Sequence, residues 1–465
     1  MTTMKINKCF CQILFVLTPP LLVSCGDTDW LDVKRYKADV MPHTFADLQA
    51  IMDNHFVVNL NYPVLGQISA DDIYIPDDRL NSASVAERNA YIWAKDIYQG
   101  AASSEFAGPN EKISYANIVL ERLPLADQTS ESERAGIKGQ ALFLRSFATY
   151  QLAQLFCKAY DPATAGQDPG LQLRASSDPN LTSQRSTVQQ TYDRILADAL
   201  EAVELLPQQQ PYRTRPTKAA AHGMLAKAYL VMGMFQQALN HADLALKDQA
   251  KILDFNSDII QPSSTYRFPS FTAQRSNPEI LFHAESMGLA SVNPSQAITF
   301  IDSGLTSSYQ NNDLRKTLFF RVDAQGRFQH VGRYTGTARV FTGIAANEML
   351  LIQAECHARL GNTTEAISRL NLLLKNRFKA GTFTELQVSD KDSALNLILS
   401  ERRKELVFTG QARWEDLRRL AKERPMPLRR RANGMEYALL PGDKRYVLPF
   451  PDLEIQLSGI LQNQR

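Results

Sequence analysis

The sequence is poor in several things, and each shortage narrows what the chain can be. It has almost no charge imbalance, with 51 Lys+Arg against 49 Asp+Glu, so no strongly basic surface for nucleic acid is expected. Five Cys in 465 residues are too few for a disulfide scaffold. Gly and Pro, at 22 each, exclude a collagenous or low-complexity chain. Only three Trp are present, so each draws notice. Past residue 25 no stretch reaches the roughly 20 apolar residues of a membrane-spanning helix. There is no Gly-x-Ser-x-Gly elbow, phosphate-cradling Gly loop, dinucleotide fingerprint or zincin His pair among the seven scattered His. The sequence therefore proposes no catalytic residue, no cofactor and no metal. What remains, with 44% hydrophobic residues, is enough apolar material for a sizeable core.

The N-terminus is of another kind. Lys5 and Lys8 precede an apolar run from Cys9 to Leu22, broken near its end by Pro19 and Pro20. That is the pattern of a secretory signal, too short and interrupted to span a membrane comfortably. The run ends Leu22-Val23-Ser24-Cys25, which resembles the lipobox of bacterial lipoproteins. The resemblance implies cleavage before Cys25 and lipidation, including palmitate, of that residue. A plain signal peptide with an incidental Cys, or a small membrane anchor, are the alternatives. Removing residues 1–24 leaves 49 basic and 49 acidic side chains. Beyond Cys25 only Cys157 and Cys356 remain, both in helical apolar patterns and read as buried thiols.

The body reads as mainly α, built of helical repeats. Apolar and small residues recur at helical spacing over Ala219–Leu246 and again over 346–374, each broken by one Gly. Ala226, Gly233, Ala238 and Leu246 match Ala354, Gly361, Ala366 and Leu374 at a constant offset of 128. This resembles the tetratricopeptide helix–turn–helix unit. Gly136–Cys157 and Val188–Leu206 form a further pair, the second capped by Ser186 or Thr187, around an insert at 158–186. Ser393–Phe408 and Trp414–Glu423 form the last, for about four helix pairs in all. Two stretches, 40–115 and 247–345, lack sustained periodicity and read as functional surface. The expected organisation is a signal at 1–24 and one domain over 25–465. Within it lie an N-terminal part (25–134), repeat helices (135–246), a loop-rich insert (247–345) and a C-terminal repeat and tail (346–465).

Seven segments in order carry a resemblance to one family. They are Asp29–Lys34 (DWLDVK), Gln140–Phe156, Arg215–Gly233, Asn277–Phe282 (NPEILF), Asn347–Gly361, Glu401–Arg419 (ERRKELVFTGQARWEDLRR) and Tyr446–Asn463. Together they resemble the SusD/RagB family of surface lipoproteins. The resemblance implies an all-α fold of four tetratricopeptide-like units with a less regular, ligand-facing side. It also implies a lipid-anchored, surface-exposed outer-membrane protein that binds nutrient, usually oligosaccharide and in some members peptide. Such a protein delivers its ligand to a SusC-like, TonB-dependent transporter as the transporter's lid. Rival expectations are a surface enzyme that degrades glycan or peptide, and a helical scaffold for protein assembly.

Among individual residues, Tyr74, Tyr91, Trp93 and Tyr98, with Asp72 and Arg79, mix flat rings with polar groups as sugar sites do. They are the ligand candidates, with Trp93 foremost; Tyr309 and Tyr334 follow from the second irregular stretch. The Asp71-Asp72 and Asp77-Asp78 pairs could serve Ca²⁺ but lack an EF-hand pattern, so solvated loop acids or hydrogen-bonders to sugar are the expectation. From Glu401 to Arg431 there are eleven basic and five acidic residues. Their alternating signs predict a solvated, ion-paired helix. Arg429–Arg431 would then face anionic lipid or an acidic partner, and Trp414 would anchor the core.

Overall fold

A computed structural model describes residues 42–465 apart from 127–129, 182–183, 248–250 and 273–275. The signal segment, Cys25 and Asp29–Lys34 lie outside the described residues. His43–Arg465 forms one compact unit.

The framework is ten helices: α1 (Phe45–Asp53), α2 (Ser104–Arg122), α3 (Glu131–Phe156), α4 (Val188–Leu205), α5 (Lys218–Val231), α6 (Phe235–Leu246), α7 (Ala346–Arg359), α8 (Thr363–Leu374), α9 (Lys391–Glu405) and α10 (Ala412–Arg419). Local sequence explains their starts. Ser130 accepts from the Glu133 amide while the Glu133 carboxylate accepts from the Ser130 amide, a reciprocal box that opens α3. Thr187 and Gln190 do the same for α4, which settles the choice between Ser186 and Thr187. Along α4 the buried residues Val188, Thr191, Tyr192, Ile195, Ala199 and Ala202 fall at helical spacing, so one stripe faces the core. The last five turns of α3 are buried all round, as a central helix must be.

Three of the four predicted pairs form as drawn; in the last, the second helix is Ala412–Arg419, which packs on Leu65–Ser69 rather than along its predicted partner. Helix α4 packs on α3 and α5, α5 on α6, α6 on α7, and α7 on α8 and α9. Gly233 and Gly361 stand at the two matched turns with φ of 75° and 88°, a region that favours residues without a Cβ. One expectation is corrected. Residues 40–115 are not wholly irregular: α1 and much of α2 lie there, the latter with Pro109 in its interior. The 247–345 stretch holds short strands, among them Ile280–Phe282 pairing with Ile344–Ala345.

Charged side chains, rather than apolar ones alone, join the helices. Arg145 of α3 donates through Nε and Nη2 to Asp198 of α4 at 2.7 and 2.8 Å, and through Nη1 to Asn117 of α2. Lys227 of α5 reaches Glu348 of α7 at 2.8 Å. Arg402 of α9 bridges that same Glu348 and Asp416 of α10, both at 3.0 Å. Arg419 clamps Glu355 at 2.6 and 2.7 Å and also Asp416. On the other side of α9, Arg315 meets Asp313, Glu401 and Glu405, and Arg377 meets Glu405 and Glu279. Glu401, Arg402, Lys404 and Glu405 are all buried. The alternating charges are thus ion-paired as predicted but not solvated, because their partners come from other helices and cover them. Trp414 is fully buried, as its motif predicts. Cys157 and Cys356 are buried free thiols; burial pushes the Cys157 thiol up to about 12.

Burial alone would raise the Asp416 carboxyl, but Arg402 and Arg419 overcome it and hold it at about 2, below its ordinary 3.8. A carboxyl depressed on folding stabilises above its unfolded pKa and stops doing so as pH falls through the folded one. Denaturant unfolding measured against pH should therefore lose stability between about pH 4 and pH 2. Asp416→Asn should be less stable near neutrality and lose less across that window; an unchanged slope contradicts the assignment. A second outcome concerns packing at the Ile280–Phe282 strand pair. A Cβ on Gly343 would meet the Phe282 carbonyl at 2.0 Å. Gly343→Ala should cost about 1–3 kcal/mol or more in chemical denaturation.

Candidate functional site

The predicted ligand residues sit where the irregular N-terminal segment meets the C-terminal helices. Strand Ile73–Tyr74 pairs antiparallel with Phe300–Ile301, Tyr74 opposite Phe300. Successive strand residues face opposite sides, so Ile73 turns inward and Tyr74 outward, leaving its ring 37% exposed. Just before the strand, Asp71 and Asp72 are neither calcium ligands nor solvated loop acids. Asp71 accepts a two-toothed pair from Arg413 at 2.7 and 2.9 Å. Asp72, fully buried, takes Arg403 Nε at 2.8 Å. Burial pushes the Asp72 carboxyl up despite Arg403. For Asp71 burial acts the same way, but the Arg413 hydrogen bonds prevail and hold it low.

The aromatic candidates behind this node belong to the interior. Trp93 is 1% exposed, and its indole Nε1 donates to the Ser69 carbonyl at 2.9 Å. Tyr91 is buried, with its hydroxyl accepting from the Ile75 amide at 2.9 Å. The guanidinium of Arg430 lies over both rings, 4.1 Å from the Tyr91 centroid and 4.6 Å from that of Trp93. It also donates to the Tyr91 and Ala70 carbonyls. Tyr98 is buried too, which pushes its hydroxyl pKa up. Tyr309 donates to the Lys404 carbonyl at 2.8 Å, and Tyr334 to Glu279 at 2.8 Å, both inside the protein. The expectation that Trp93, Tyr91, Tyr98, Asp72 and Tyr309 contact ligand is corrected accordingly. Burial removes all five from solvent, and cations of the fold lie over the rings of Trp93, Tyr91 and Tyr309. Arg430 is likewise a core residue, so only Arg429 and Arg431 of that triplet are exposed.

Tyr74 and Arg79 reach solvent. Arg79 pairs loosely with its neighbour Asp78 at 3.3 Å. Tyr74 has the richer surroundings. Its ring leans on Phe300 with centroids 5.8 Å apart, and Arg327 lies over Phe300 at 4.0 Å. Arg327 is held by Asp323 through Nε at 2.8 Å, and Asp323 also accepts from the Gln325 and Arg327 amides. Burial raises the Tyr74 hydroxyl pKa, opposed by Arg327 and reinforced by Asp323, which puts both charges beside the ring. The result is an outward aromatic face on a rigid two-stranded base, with a fixed guanidinium and carboxylate at its side. Phe300, Asp323 and Arg327 were not singled out from sequence. The Asp323–Gly326 turn, with Phe320–Val322 and Phe328–His330 around it, is the hairpin signal that marks them.

A separate groove of about 740 Å³ runs between α8 and the segment Glu385–Ser389, where Asn371 holds the Leu386 backbone at both its amide and its carbonyl. Its lining includes Ser368, Arg369 and Lys375 but no aromatic ring. Among the described residues, no three His, Cys, Asp or Glu side chains are grouped to hold a metal ion, and no helix is long and apolar enough to cross a membrane.

Comparison with known proteins points to one family from both ends of the chain. A family model described as starch-binding, associating with the outer membrane, matches residues 29–230, and one described as the SusD family matches 332–463. SusD-like protein P2 of Formosa agariphila is 25% identical over 97% of this chain and 98% of its own. SusD-like protein P38 of the same organism is 41% identical over 80 residues, 16% of each chain. A solved SusD superfamily protein from Bacteroides thetaiotaomicron shares the fold with a TM-score of 0.74 at 20% identity, covering 91% of this chain and all of that one. A SusD-like carbohydrate binding protein from Bacteroides vulgatus gives 0.68 at 18% identity, over 90% and 97% of the two chains. With an N-terminal and a C-terminal family match in order on one shared mainly helical fold, the chain belongs to the SusD/RagB family.

Proposed function

We propose that this protein is a lipid-anchored, surface-exposed component of the outer membrane that captures oligosaccharide at the Tyr74 surface. It then passes the ligand to a SusC-like, TonB-dependent transporter, over which it acts as a lid. The observation that carries the reading is the outward Tyr74 ring, backed by Phe300 and flanked by the Arg327–Asp323 pair. Sugar rings pack their C–H faces on such a platform, and a held guanidinium and carboxylate take hydroxyls by hydrogen bonds. The site's groups suit binding rather than bond cleavage, since its carboxylate Asp323 is already engaged by Arg327 and backbone amides.

Two features support the remaining parts of the reading. Cys25 at the end of the apolar run supports the anchor. The last helix, Asp452–Ser458, buries none of its residues and leaves Leu453 and Leu457 exposed, with Leu461 beyond it. An apolar patch of this kind is what a protein partner covers.

A glycan array and a peptide panel, applied to the soluble form starting after Cys25, test the proposal. Saturable glycan binding is expected without turnover. Tyr74→Ala should weaken it by about tenfold or more, equivalent to about 1.4 kcal/mol, with the melting curve unchanged. Trp93→Ala should instead lower stability by about 3–5 kcal/mol, because it empties a core position. Binding of peptides alone, hydrolysis of a bound glycan, or undiminished binding by Tyr74→Ala contradicts the proposal.

A further inference from the structure

Among the described residues, four arginines are fully buried: Arg315, Arg333, Arg377 and Arg402. Three of them sit against two or more carboxylates. Arg333 is the exception. It is 2% exposed, and among the described residues no carboxylate pairs with it. Its Nη2 donates to the Val292 carbonyl at 2.6 Å, while Nε and Nη1 have no hydrogen-bond partner. Its guanidinium carbon lies 4.5 Å from the centre of the Phe408 ring. That ring cannot take the place of a counter-charge, and it accepts no hydrogen bond in the plane of the guanidinium.

Other donors gather at the same place. His330 stacks on Phe408 at 4.7 Å and 7°, is buried, and has no partner at either ring nitrogen. Ser291, next to the Val292 that anchors Arg333, leaves its buried hydroxyl unpartnered. Phe408, which carries both Arg333 and His330, has a φ of 54°. A bulky residue in the left-handed region is strained, and strain of this kind is kept where a local arrangement matters. Burying a cation without a counter-charge, beside several unused donors, is very unfavourable unless a negative group completes the cluster.

We infer that Arg333 and His330, with Ser291 at their side, form an internal site for one small monovalent anion, either a halide or a small carboxylate such as formate. The anion completes the donor set from which the protein supplies every part but the acceptor. This site is independent of the Tyr74 surface and of the proposed uptake role. Burial lowers the Arg333 pKa to about 9, which still leaves the guanidinium charged at neutral pH.

Crystals of the whole chain grown with bromide in place of chloride should show an anomalous peak in contact with Arg333. Thermal unfolding in chloride, formate and gluconate at matched ionic strength supplies the second readout, gluconate being too large for the interior. The midpoint should rise by several degrees, saturably, in chloride, in formate or in both. The salt that acts identifies the halide or the carboxylate as occupant. Arg333→Met should lose that response. No bromide peak at Arg333 together with equal midpoints in the three salts overturns the inference, as does an undiminished response in Arg333→Met. Should that variant fail to fold, the bromide map and the three-salt comparison of the unaltered protein decide together.

Discussion

The fold depends on charges that must be buried together. A carboxylate or guanidinium taken out of water costs several kcal/mol unless partners replace the lost hydration. In this protein the residues from Glu401 to Arg419 replace it for one another and for three other regions of the chain. Arg402 joins α7 to α10, Glu405 joins Arg315 and Arg377, and Arg403 and Arg413 hold Asp71 and Asp72 from the N-terminal segment. Glu415 accepts from Tyr150 of α3 at 2.8 Å, and Arg418 donates to the Gln154 and Cys157 carbonyls at the end of that helix. Hydrophobic burial would tolerate many packings of these helices. A lattice in which each charge has its own partner tolerates few, because a shifted helix leaves a charge uncovered.

This explains the split between what could be read and what could not. The matched Ala–Gly–Ala–Leu units, the α4 cap and three of the four helix pairs are legible because they rest on local periodicity and capping. The charged motif was read as solvated because its partners are far away: Arg413 and Asp71 are 342 positions apart. The same distance hid the fate of Trp93 and Tyr91. Their mixture of rings and polar groups looks like a sugar site, and only the fold reveals that Arg430 covers both rings. In α2, Gly108-Pro109 broke the pattern that sequence reading relies on, yet the helix runs through them. Phe300 lies in a two-residue strand that carries too little alternation to detect, and Arg327, though marked by its hairpin, meets Phe300 only in the fold.

Tyr74 shows how the interior and the surface are coupled. Its strand follows directly on the Asp71-Asp72 pair, and the Asp72 carbonyl accepts from the Asp302 amide at 2.9 Å. The arginines of the most distinctive family segment therefore hold the base on which the outward ring stands. A binding protein gains from such an arrangement, since a platform fixed before the ligand arrives loses less freedom on binding.

The most direct test is hydrogen exchange of the backbone amides around the Ile73–Tyr74 and Phe300–Ile301 pair in Arg403→Met. Removing one partner of a buried pair costs about 3–5 kcal/mol, and here the loss should fall on the segment that Asp72 anchors. The account predicts exchange faster by tenfold or more at Tyr74 and Asp302, with the amides of α5 and α6 unchanged. Unaltered exchange at Tyr74 and Asp302 in a folded variant would contradict it.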